Sequence, residues 1–215
     1  MRSLRLAALT HANWHANYFS ESNDWWNELS VLQAAHAAEI LIKARIAEEH
    51  PLLIFEQLPK ASSEGFRLSL HQVIEQARTL PFSDLPDRLW AATGMRLANT
   101  EQYLKFGRLR NTVQHFAVPN DIDVSDATVA FIYDVIDPFI HECWGLYAVD
   151  FNEDHEPYAY LVPSIVERGI KFLVSPGMME DFEHISFEWP PDKPEYRAEM
   201  EHRFAAASMC AQSMV

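Results

Sequence analysis

Residues 24–50 read DWWNELSVLQAAHAAEILIKARIAEEH, a run without Gly or Pro in which Leu, Ala and Glu recur. Asn23 or Asp24 is suited to capping a helix start, and Pro51 marks its end. Apolar residues nearly surround the helix this spacing predicts, which belongs in the middle of a helical bundle. Upstream, Leu6, Leu9, Ala12, Ala16 and Phe19 lie at helical spacing, and Ser20 to Asn23 interrupt them. Downstream, residues 51–65 read as a loop after the short apolar patch Leu52 to Phe55, and 66–80 as a shorter helix. A turn over 80–86 leads to helical segments at 87–98 and 99–116, with Gly94 and Gly107 as weak points. Pro119 stops that run, because the residue before a proline is pushed out of the α region. Ser125 is expected to cap a helix over 126–144 that Pro138 kinks.

The character changes after Gly145. Residues 158–162, 169–174 and 184–189 are short, β-branched or aromatic, and separated by turn residues, which predicts a small sheet or extended strands. Residues 190–194 form a Pro-rich linker, and 195–209 a terminal helix. The expected fold is mainly α: an up-and-down helical bundle over 1–145 and a small α+β or extended C-terminal appendage over 146–215.

With 215 residues, of which 48% are hydrophobic, the chain can bury a full core, and only 6 Gly argue against a turn-rich β architecture. The net charge of −14 excludes a protein that coats itself with nucleic acid or anionic membrane. Its distribution is uneven. Arg96, Lys105, Arg108 and Arg110 face a single acid, Glu101, over 96–110, whereas no Lys or Arg occurs between Asn111 and Glu167, where acids cluster from Asp121 to Glu156. Any RNA contact must therefore be local, through residues such as Lys105 and Arg108. Cys143 and Cys210 are too few and too far apart for a disulfide framework, which fits a reducing compartment. The apolar run from Leu6 to Leu9 is too short for a secretory core, and nothing approaches the ~20 apolar residues of a membrane span. The expectation is a cytoplasmic chain without a membrane partner.

The stretch Arg110-Asn111-Thr112-Val113-Gln114-His115 is the candidate centre of chemistry. Its spacing alone is cheap: Arg, four residues, then His also occurs at Arg45/His50 and Arg197/His202, and chance supplies about half a match in such a chain. Context separates the middle one, because Asn follows the Arg directly and a basic stretch precedes it. Arg110 brings a planar, permanently charged fork for a phosphate, and His115 is a side chain suited to proton transfer. Asn111, at i,i+4 to His115, can orient either. Such a trio supports attack of an RNA 2′-hydroxyl on its neighbouring phosphate with no metal or other cofactor.

This segment resembles the RNxxxH signature of the HEPN superfamily, the helical "higher eukaryotes and prokaryotes nucleotide-binding" domains. The upstream stretch from His36 through Glu39 and Lys43 to Ala44 is similar to the early-helix pattern of an acid, an apolar pair and Lys in many of those chains. The resemblance covers roughly residues 24–145. It implies a HEPN-like bundle and a metal-independent endoribonuclease that dimerises to form one composite cleft, with roles in toxin–antitoxin or antiviral defence and a possible neutralising protein partner. Carried over, Arg110 stabilises the phosphate, His115 moves the proton and Asn111 positions one of them, with His36, Glu39 and Lys43 as weaker supporting transfers. The alternative it implies is a non-catalytic HEPN-like module that binds a nucleotide or a protein partner.

Other features have simpler explanations. His11 and His15 are i,i+4, the spacing of helical zinc sites, but the sequence places no third ligand, so a surface or amphipathic pair is expected. His141 and Cys143, at i,i+2, cannot face each other on a helix. Trp14, Trp25, Trp26 and Trp90 suit helix interfaces better than base stacking. No GxxxxGK[ST], GxGxxG or GxSxG is present.

Overall fold

Helices carry most of the residues described in this computed structural model, namely 2–17, 25–59, 68–115, 122–153 and 156–212. The helix expected over 24–50 forms as α2 (Trp25–Glu49), and only five of its positions from residue 26 on, Glu28, Leu29, His36, Glu48 and Glu49, are exposed. Its expected cap at Asn23 or Asp24 lies outside the described residues. Contacts divide the chain into two units, one of residues 1–38 and 97–215, the other of Glu39–Arg96, so α2 contributes to both.

In the unit of Glu39–Arg96, α2 stops before Pro51 because His50 takes an extended conformation, φ −162°, and its Nδ1 accepts from Leu52 N at 3.2 Å. A 3₁₀ turn, Pro51–Ile54, feeds the short strand β1 (Phe55–Gln57), which pairs antiparallel with β2 (Arg78–Thr79). Between them α3 (Leu70–Gln76) starts at Ser69, where Ser69 and Gln72 form a reciprocal capping box. The helix expected over 66–80 is thus shorter, because residues 78–79 pair with β1 and Leu80 N donates to Ile54 O at 2.9 Å. After it, α4 (Leu85–Thr93) ends at Gly94, whose φ of 77° is the left-handed turn a helix stop favours. Leu41, Ile42, Ile46, Phe55, Leu80, Leu85 and Leu89 are among the buried side chains of this unit.

The other unit holds α1 (Arg2–Asn17), the first part of α2, α5 (Thr100–His115), α6 (Val124–Phe131), α7 (Asp137–Trp144), α8 (Pro157–Arg168), α9 (Pro176–Glu180) and α10 (Pro194–Gln212). Asn99 caps α5, accepting from Gln102 N at 3.1 Å, and Gly107 is tolerated in its interior because it is buried. Asp123, rather than the expected Ser125, caps α6 by accepting from Asp126 N at 2.9 Å. Ser125 is buried and donates instead to Ala16 O at the end of α1. At the place of the expected kink, α6 runs into α7 through a π-helical turn, Ile132–Ile136, directly before Asp137-Pro138. A proline cannot donate to the preceding turn, and a widened turn accommodates it.

In this unit α1 packs on α6 and α8, α5 on α6, and α9 on α10. Phe106 of α5 stacks on Phe131 of α6 with centroids 3.9 Å apart and planes 4° apart, beside fully buried Tyr103. The strands expected after Gly145 do not form among the described residues. Residues 158–162 lie in α8, where Leu161, Val162, Ile165 and Val166 bury one helical stripe behind Pro157 at the first turn, so packing overrides their β propensity. Residues 169–175 and 185–193 are irregular rather than paired strands.

Nor do residues 146–215 stand apart as an appendage. Asn13 of α1, fully buried, donates to Ala148 O at 3.0 Å and Phe151 O at 2.8 Å, and accepts from Tyr133 Oη at 3.1 Å. Asp137, also fully buried, accepts from Ala148 N at 2.7 Å through one carboxylate oxygen and from Leu173 N at 2.8 Å through the other. No described helix is long and apolar enough to cross a membrane.

Candidate functional site

α5 presents two unlike faces. Tyr103, Phe106, Gly107 and Leu109 are buried, while Glu101, Lys105, Arg108, Asn111, Thr112 and His115 are exposed. An α-helix advances about 100° per residue, so Arg108 and His115 stand about 20° apart, with Asn111 about 40° from His115. Arg110 stands about 140° from His115, toward the side of Tyr103 and Phe106. Consistent with this, Arg110 is half-buried and His115 exposed. Within one chain the Arg and His of the motif therefore point to different sides, and the cation that shares a face with His115 is Arg108.

Arg110 donates from Nη1 to Asn111 Oδ1 at 3.0 Å, so Asn111 orients the guanidinium. The two other Arg/His matches are engaged differently: Arg45 pairs with Glu49 at 2.9 Å and Arg197 with Glu201 at 2.7 Å. Among the described residues Arg110 has no carboxylate partner, and neither do Lys105 and Arg108. Structure thus separates the three equal spacings on a second ground: Arg45 and Arg197 are engaged in helix-surface ion pairs, while Arg110 has no such pair among the described residues.

Beside this face an open groove of about 410 Å³ runs between α5 and α6. Phe106, Leu109, Ala127 and Ala130 make its floor, with Lys105, Arg108 and Thr112 on its α5 side. Arg110, Asn111 and His115 do not line it. At its far end Gln102 also hydrogen-bonds Asp134 of the π-helical turn, whose carboxyl burial pushes above the usual range while the Gln102 bond pulls it down.

The supporting residues fall elsewhere. Glu39 and Lys43 belong to the unit of Glu39–Arg96, where Lys43 Nζ donates to Glu39 Oε1 at 2.6 Å and to Thr79 Oγ1 at 3.1 Å. With the Lys43 side chain only 12% exposed, this pair fastens β2 to α2. His36, on α2 in the other unit, is exposed. Neither the groove nor the exposed Arg108–His115 stripe is marked by a sequence motif; the helical projection of 101–115 holds the one signal for them. Asp137 was legible only as an acid inside the apolar run FIYDVIDPFI.

No family model, curated protein or solved structure matches the chain.

Proposed function

We propose that this chain is a HEPN-type endoribonuclease that cleaves RNA by attack of a 2′-hydroxyl on the adjacent phosphate, in a composite homodimer site and in the service of a toxin–antitoxin or antiviral defence system. His115 takes the 2′-hydroxyl proton, the 2′-oxygen bonds to phosphorus, and the bond from phosphorus to the 5′-oxygen breaks as that oxygen takes a proton from water. The products are a 2′,3′-cyclic phosphate and a 5′-hydroxyl end, and no metal is needed. Arg110, held by Asn111, neutralises the charge that builds on the phosphate, while Lys105 and Arg108 hold the RNA backbone. The observation that carries this is the exposed stripe of α5, where His115, Asn111, Arg108 and Lys105 share a surface and, among the described residues, no carboxylate pairs the cations.

Because Arg110 and His115 diverge on one helix, the pair acts together only if one chain's Arg110 meets the His115 of a second copy. An isologous two-fold contact supplies that arrangement twice. The test is cleavage of a labelled RNA in excess chelator, with product ends analysed. Loss of at least a hundredfold in rate is expected for both Arg110→Ala and His115→Ala, and an equimolar mixture of the two inactive chains should regain activity if each supplies what the other lacks. Full-rate cleavage by both variants would overturn the proposal.

The second reading, a non-catalytic HEPN-like module that binds a nucleotide or a protein partner, is favoured by one observation: the net charge of −14, which repels RNA everywhere except at α5. RNA or nucleotide retained without any cleavage by the unmodified chain would select it.

A further inference from the structure

On α1, His11 and His15 occupy successive turns with ring centroids 6.2 Å apart and planes only 15° apart. Each ring is held through the same nitrogen. His11 Nδ1 lies 2.6 Å from Glu153 Oε1, and His15 Nδ1 lies 2.6 Å from Gln33 Oε1. Where each Nδ1 donates to its oxygen, a neutral ring keeps its lone pair on Nε2. Trp26 packs edge-on against the His15 ring at 4.7 Å, which further fixes its rotation.

A helical i,i+4 pair whose Nδ1–H groups are oriented by oxygens is the arrangement metal-bound histidines use: the outer oxygen fixes the tautomer and turns Nε2 toward the metal. Two imidazoles bound at about 2.0–2.1 Å to one tetrahedral cation have ring centres about 5 Å apart. Bringing both Nε2 atoms onto one cation therefore needs the rings to turn as well as to approach from their 6.2 Å separation and near-parallel planes. Solvent reaches His11, whose side chain is 45% exposed. Among the described residues no group of three or more His, Cys, Asp or Glu is placed to hold a metal.

We propose that His11 and His15 form a surface site for a zinc-class divalent cation, bound through both Nε2 atoms with water completing the shell, and that Glu153 and Gln33 are its positioning residues. This site is independent of the ribonuclease reading and contributes nothing to its chemistry. It differs from the simple surface pair that the spacing alone suggests, because two separate elements supply the orienting oxygens.

Zn²⁺ titrated calorimetrically into the metal-stripped full chain should bind saturably at one equivalent. His11→Ala and His15→Ala should each weaken binding at least tenfold, Glu153→Ala by about tenfold, and His202→Ala, at an exposed position, not at all. Long-range ¹H–¹⁵N spectra of the imidazoles should show zinc shifting Nε2 while Nδ1 keeps its hydrogen. Absence of saturable binding, binding by His11→Ala equal to that of the unmodified chain, or zinc on Nδ1 overturns the proposal. The His11 side chain is 45% exposed, so its variant decides the matter even if His15→Ala is less stable.

Discussion

Replacing Asp137 by Ala removes a fully buried carboxylate that holds Ala148 N at 2.7 Å and Leu173 N at 2.8 Å. No water replaces it at a site with no exposed surface, so both N–H groups lose their acceptor. Each unmade bond of this kind costs about 1–3 kcal/mol, which puts Asp137→Ala at about 2–6 kcal/mol below the unmodified protein. The cost depends on pH in a direction that can be worked out. Burial pushes the Asp137 carboxyl from 3.8 up to about 7, against the Ala148 and Leu173 N–H bonds and Arg203, which pull it down. Between about pH 4 and 7 the folded protein therefore holds a proton that the unfolded chain has released. The stability this contributes is present in full below the unfolded value and is lost as pH rises through the folded one. At about 1.4 kcal/mol per unit, the Asp137 contribution falls by about 2–3 kcal/mol between pH 5 and pH 8. Urea unfolding followed by fluorescence from the 6 Trp, at both pH values, measures it. The gap between the unmodified protein and Asp137→Ala should be larger at pH 5 by that amount; a gap below 1 kcal/mol at pH 5, or one that widens toward pH 8, refutes the reasoning.

Three further outcomes are expected. Phe106→Ala removes a side chain that is 3% exposed and stacked on Phe131, so it should cost about 3–5 kcal/mol and lower the melting temperature by several degrees in a thermal scan. Gly169 closes α8 at φ 66°, and a Cβ there would lie 2.5 Å from Lys193 Cδ; Gly169→Ala should cost about 1–2 kcal/mol in urea, reduced when Lys193→Ala is added. In RNA binding measured by fluorescence anisotropy against salt, Arg108→Ala and Lys105→Ala should each reduce the salt slope by about one, and an unchanged slope would remove them from the RNA contact.

Helix existence was legible along most of the chain because burial and period agree. In α2 the buried positions Val31, Ala34, Ala35, Ala38, Leu41 and Ile42 follow a helical period with little exposed surface between them. Legibility failed where one segment's state depends on a distant partner. Residues 78–79 have helical neighbours but are drawn into a strand by β1, and 158–162 look like a strand but bury a helical stripe. Ser125 reads as a cap from local sequence, yet Asp123 takes that role and Ser125 turns to α1. For the candidate site, the residue types stand in the sequence and their directions do not. The i,i+4 relation of Asn111 to His115 was apparent, whereas the opposed headings of Arg110 and His115 follow from the same period only when the buried side of α5 is known. The His11–His15 spacing was visible too, but the oxygens of Gln33 and Glu153 that orient both rings come from elsewhere in the chain.

The π-helical turn at Ile132–Ile136 acts as a phase shifter between two jobs done by one rod. Before it, Thr128 of α6 meets Ser30 of α2 at 3.2 Å; after it, Asp137 grips Ala148 and Leu173. An α-helix would consume one residue fewer over the same turn, so deleting a residue within 132–136 would restore regular winding and leave the phase of the flanking segments nearly unchanged. Inserting a residue directly before Asp137 has no such outlet and would re-aim every side chain from Asp137 onward by up to about 100° relative to α6. The carboxylate would swing out of the core, and the two loops it ties would lose their common anchor. Length in this rod is therefore information, and such an insertion should be tolerated far less well than a deletion within the turn.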